Sequence, residues 1–98
     1  MHMLTSLQLQ AVQSYFRTKP VLKAYLFGSQ ARGDADKESD IDILVDLDHT
    51  HSIGLKFIQM QLDLESLLQK KVDLVSSRGL STHIQPAIYR DKQLIYAK

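Results

Sequence analysis

Apolar positions recur along this chain in two rhythms, a helical one and a strand one, and their boundaries predict its elements. Leu9, Val12 and Phe16 follow one another at helical intervals. Thr5 and Gln8 precede them with capping-box spacing, and Pro20 closes the helix they predict. Val21 to Phe27 is apolar apart from Lys23 and stops at Gly28, which reads as a buried strand with a short helix after the glycine. Ile41 to Leu47, rich in Ile, Leu and Val, predicts a second strand, and Val72 to Ser76 a third. Arg78-Gly79 reads as a turn, Thr82 to Tyr89 as a short helix with Pro86 in its first turn, and Gln93 to Ala97 as an edge strand. The alternation of helices and strands predicts an α/β (α+β) fold, a small mixed sheet with helices packed on it.

The longest helical segment, Ile53 to Gln69, carries two overlapping apolar stripes. One runs through Leu55, Ile58 and Leu62, the other through Phe57, Met60, Leu64 and Leu67. A helix on one sheet face needs a single apolar arc, and this arc is wider. A deeper core accounts for the excess in one reading. In the other, Phe57, Met60 and Leu64 help form a homo-oligomeric or heteromeric interface.

Length and composition narrow the classes. With 98 residues, the chain is expected to form one domain over residues 1–98. Its 44% hydrophobic and 23% charged residues are the balance of a globular protein. A net charge of +1 and a pI of 8.0 lie below the pI of about 9 usual for domains that track nucleic acid. Long nucleic acid is therefore not an expected partner. The absence of cysteine excludes disulfides and thiolate metal sites, and fits a reducing, cytoplasmic setting. No segment approaches the ~20 apolar residues of a membrane span.

Against that background three acids stand out. Asp40 and Asp42 open an otherwise apolar strand, and residues two apart along a strand share a face. Asp73 sits between Val72 and Leu74 in another apolar strand. If the two strands are neighbours, the three carboxylates converge, and their repulsion requires a neutralising charge. Each acid alone reads as a solvated strand end; the set reads as a site for a hard cation, Mg²⁺ or Mn²⁺. Two such ions can clamp the oxygens of a phosphoryl transfer.

The loop before these acids adds a weaker cue. Gly28 permits a sharp turn and a close backbone approach, Ser29 can donate to a phosphate oxygen, and Arg32 can add a charge-assisted contact. Gly28 and Gly33 have P-loop spacing, but Asp34 and Ala35 stand where Lys and Ser/Thr belong. An EF-hand beginning at Asp34 fails at Ser39 and Val45. His49, His51 and His83 read as solvated, and Tyr89 and Tyr96 as core or edge residues.

Gly28-Ser29, ten intervening residues, then Asp40-Ile41-Asp42 resembles the signature of the DNA polymerase β-like nucleotidyltransferase superfamily. The string Gly28-Ser29-Gln30-Ala31-Arg32-Gly33-Asp34, with Ser39 before Asp40, is similar to its minimal nucleotidyltransferase branch. That branch is commonly encoded beside HEPN-domain proteins as a toxin–antitoxin pair. The resemblance implies nucleotide binding by Gly28, Ser29 and Arg32. It implies metal binding by Asp40, Asp42 and Asp73, the last also accepting the acceptor's proton. The implied reaction is attack of a hydroxyl on the α-phosphate of ATP, neutralising a HEPN toxin by adenylylation of a tyrosine. Two other readings remain open: an antitoxin that acts by contact with a vestigial nucleotide site, and an enzyme acting on a small molecule or an RNA end.

Overall fold

A computed structural model describes residues 4–28, 40–50, 53–79, 90 and 92–98. Among them are helix α1 (Ser6–Arg17), strands β1 (Val21–Phe27) and β2 (Ile41–Leu47), helix α2 (Leu55–Leu68), and strands β3 (Val72–Ser76) and β4 (Gln93–Ala97). A short 3-10 turn, Ser77–Gly79, follows β3 where a turn was expected. The short helices expected after Gly28 and at residues 82–89 lie outside the described residues.

The capping box forms as its spacing predicts. Thr5 Oγ1 accepts from Gln8 N at 3.1 Å, and Thr5 N donates to Gln8 Oε1 at 2.9 Å. Each bond satisfies a polar group that the first helical turn would leave unpaired. Val12 and Phe16 face inward, and after Arg17 the chain turns through Thr18, Lys19 and Pro20 into β1.

The four strands form one sheet in the order β3-β2-β1-β4. β1 pairs antiparallel with both β2 and β4, whereas β2 and β3 are parallel, so the sheet is mixed. A parallel neighbour requires a crossover, and α2 supplies it between β2 and β3. Alternation sorts the strand residues between the two faces. Ile41, Ile43, Val45 and Leu47 of β2, Ala24 and Leu26 of β1, and Val72 and Leu74 of β3 join one core with Val12, Phe16, Met60, Leu64 and Leu68 of the helices. Leu44 is buried on the opposite face beneath Tyr25, Phe27 and Val75. β4 is an edge strand, as expected.

Helix α2 departs from expectation at its start and in its inward face. It begins at Leu55 rather than Ile53 because Gly54, with φ of 43°, takes a backbone conformation no helix contains. Met60 and Leu64, assigned above to an interface, are 1% and 0% exposed in the core, and Phe57 packs against it. The outward stripe is the other one: Leu55, Ile58 and Leu62 are 81%, 57% and 53% exposed. The sheet lies under the Met60–Leu64 side, so those two residues are unavailable to a partner, while Phe57 is partly buried at its margin. At its far end, Glu65 Oε2 accepts from Val72 N at 3.1 Å and ties α2 to the first residue of β3.

Candidate active site

The parallel register of β2 and β3 makes Asp42 and Asp73 Cα partners. Neighbouring strands lie about 4.8 Å apart, and residues directly opposite share a face. Ile41 and Ile43, on either side of Asp42, point into the core, as do Val72 and Leu74 around Asp73. Alternation therefore sends both acids to the face that carries neither helix. Asp42 is half-buried there and Asp73 is exposed. Asp40, also exposed, precedes β2 by one residue, and Ile41 N donates to Lys71 O at 3.0 Å beside it. The three acids thus stand at one end of adjacent strands, with Asp42 and Asp73 directly across the ladder. Among the described residues, no three Asp, Glu, His or Cys side chains are gathered into a ready-made metal cage.

Gly28 belongs to the same corner. Phe27 is the Cα partner of Asp42, and Gly28 follows it with φ of 69°, the left-handed region that side chains avoid. A Cβ at Gly28 would run into the Asp42 carboxylate. The glycine therefore turns the chain at the end of β1 and lets its backbone lie against the acid. The donor set is all oxygen, which fits a hard cation such as Mg²⁺, and the Gly28 turn leaves the Asp42 carboxylate uncrowded by any side chain from that position. Ser29 and Arg32, the other two expected nucleotide ligands, lie outside the described residues.

One residue on this face was not anticipated. Lys92 places its Nζ 4.2 Å from the centroid of the ring of Tyr25, which packs against Leu44 of β2. Nothing in the spacing between Lys92 and the acids signals this, because β4 reaches β1 from the opposite edge of the sheet. His49 is exposed in the turn after β2, as expected of a solvated residue, while His51 and His83 fall outside the described residues.

The fold is that of a minimal nucleotidyltransferase, with two helices on a four-stranded mixed sheet among the described residues. Residues 10–98 match the polymerase beta nucleotidyltransferase family, and the chain belongs to it. Within that family it is 44% identical over 66 residues to the protein adenylyltransferase MntA of Thermococcus cleftensis. That stretch covers 67% of this chain and 66% of the relative, so the chain spans just under two thirds of that protein's length. A solved minimal nucleotidyltransferase structure resembles it with a TM-score of 0.76 at 33% identity, over 89% of this chain and 88% of the other. A chain from a toxin–antitoxin complex crystallised with AMP-PNP gives a TM-score of 0.78 at 26% identity, over 92% of this chain and 73% of that one.

Proposed function

We propose that this single domain is a Mg²⁺-dependent nucleotidyltransferase that moves AMP from ATP to a hydroxyl of a partner protein. The partner is a HEPN-domain toxin, which the transfer neutralises. The observation that carries the reading is the Asp42–Asp73 pair across the parallel ladder, with the Gly28 turn against Asp42. Two acids on the sheet face away from α1 and α2, with a glycine-only approach beside them, suit a triphosphate brought in by metal. The relative named as a protein adenylyltransferase and the neighbour from a toxin–antitoxin complex support the acceptor and the antitoxin role.

Asp40, Asp42 and Asp73 would hold the metal, one ion or two. Bound there, Mg²⁺ supplies positive charge against the triphosphate and the charge that develops at its α-phosphorus. Gly28 lets the backbone approach the β- and γ-phosphates, and Ser29 and Arg32 add a hydroxyl and a guanidinium to them. Asp73, exposed and directly across the ladder from Asp42, takes the proton of the incoming hydroxyl. The acceptor oxygen forms a bond to the α-phosphorus, the bond from that phosphorus to the bridging oxygen breaks, and pyrophosphate leaves.

The test is transfer of label from α-labelled ATP in the presence of Mg²⁺ and a HEPN-domain protein from the same source, with D42N/D73N as control. Label on the HEPN protein with the wild type alone establishes the activity. If no nucleoside triphosphate labels anything while the two proteins still form a complex, the chain acts by binding.

A further inference from the structure

The end of the sheet opposite the acids carries a concentration of positive charge that the proposed reaction does not use. Arg17 closes α1, Lys19 lies in the turn into β1, Lys56 opens α2 and Lys98 follows β4. With Thr18 and Pro20, these four cations line a cleft of about 270 Å³. A second cavity of about 230 Å³ shares Thr18, Lys19, Pro20 and Lys56 and adds Tyr15, Gln59 and Met60. Among the described residues, no Asp or Glu lines either cavity. The chain carries 12 basic and 11 acidic residues in all, so general basicity does not explain four cations in one cleft.

Two nearby acids are already engaged. Asp63 accepts from Tyr15 Oη at 2.6 Å and from Gln59 Nε2 at 2.7 Å. Asp48, whose amide donates to Pro20 O, accepts at Oδ1 from both the amide and the hydroxyl of Thr50. Lys19 Nζ stands 5.1 Å from the centroid of the Tyr15 ring, and Lys98 Nζ reaches Lys19 O at 3.5 Å. Arg17 and Lys56 have no ion pair among the described residues. Gly54 offers no side chain to cap α2, so the positive end of that helix adds to the field around Lys56.

We infer that this cleft is a second anion site, for the polyphosphate group of a small ligand such as a nucleoside triphosphate. Four cations match several phosphate oxygens, and the adjoining cavity offers Tyr15 and Pro20 to a flat apolar group. β1 separates the cleft from Gly28, and its seven residues span roughly 23 Å. One ligand therefore cannot occupy this cleft and the acid pair together. The inference does not depend on the proposed reaction.

The test uses the full chain carrying D42N/D73N, with chelator present, so that binding at the acid end is disabled. Amide NMR follows titration with tripolyphosphate and, separately, AMP-PNP. Shifts at Arg17 to Lys19 and at Leu55 to Lys56 are expected. Adding R17Q/K56Q should weaken binding at least tenfold, while R17K/K56R retains it. Tighter binding of AMP-PNP than of tripolyphosphate identifies a nucleotide as the source, and equal binding identifies the phosphate chain alone. Shifts confined to the Gly28 corner, or binding unchanged by R17Q/K56Q in a folded protein, overturn the inference. So does a response to a single-stranded oligonucleotide when neither small ligand gives one.

Discussion

The Asp42 carboxylate occupies the space that a side chain at position 28 would need. Gly28 is thus fixed twice, by a left-handed backbone and by an acid on the neighbouring strand.

Gly28→Ala is expected to lose stability and transfer activity together. The positive φ alone costs an L-residue about 1–2 kcal/mol, and displacement of Asp42 adds to it. Urea denaturation should show a loss of roughly 1–3 kcal/mol. Label transfer should fall by more than the change in folded fraction, because the surviving molecules hold Asp42 out of place.

Neutralising one member of the acid pair should separate stability from activity. Like charges directly across a ladder destabilise it by roughly 0.2–1 kcal/mol. In chelator, Asp42→Asn or Asp73→Asn is expected to raise the urea midpoint slightly while abolishing AMP transfer. Added Mg²⁺ should stabilise the wild type and neither variant.

The Tyr15–Asp63 bond joins α1 to α2 and gives stability a pH signature. Asp63 is held below its ordinary value, chiefly by the Tyr15 hydroxyl, then by Gln59, with Lys19 assisting. A carboxylate depressed in the folded state stabilises above its unfolded value and loses that contribution as pH falls through the folded value. Burial, then Asp63, raises the Tyr15 phenol well above its ordinary value. Its share is in place below the ordinary phenol range and is lost as pH rises through the raised value. Denaturation midpoints of wild type and Tyr15→Phe should therefore differ at neutral pH and converge toward acid, as Asp63 protonates.

The two stripes of α2 should respond oppositely to truncation. Leu64 is fully buried, and Leu64→Ala is expected to cost about 2–5 kcal/mol. Leu62 is more than half exposed, and Leu62→Ala should change stability by less than about 0.5 kcal/mol. Equal losses in thermal melts would contradict the assigned orientation of the helix.

Much of this architecture is written locally. Thr5 and Gln8 specify the start of α1 because both bonds of the capping box lie within one turn. β1, β2 and β3 are legible because their apolar runs are short and sharply bounded, and the acids because they interrupt such runs. The start of α2 is hidden, since the φ of Gly54 is a backbone property with no apolar signature. Which stripe of α2 faces inward depends on the sheet beneath it, and both stripes satisfy helical spacing equally. The Asp42–Asp73 pairing follows from strand order, which spacing alone does not specify. The basic cleft draws Arg17, Lys56 and Lys98 from three distant parts of the chain and leaves no local motif at all.

The pairing of β4 with β1 also bears on how the molecule is assembled during synthesis. β1, β2, α2 and β3 are consecutive among the described elements and already contain the Asp42–Asp73 ladder. β4 leaves the ribosome after them, yet it lies on the far side of β1 and sets the Tyr96 ring 5.7 Å from that of Phe16. The acid corner can therefore take shape while the nascent chain still exposes one edge of β1 and the Phe16 side of α1. Until β4 docks, that open edge is a template for any other extended segment. β4 thus acts as a seam that covers β1 and the Phe16 side of α1 without building the chemistry of the acid corner.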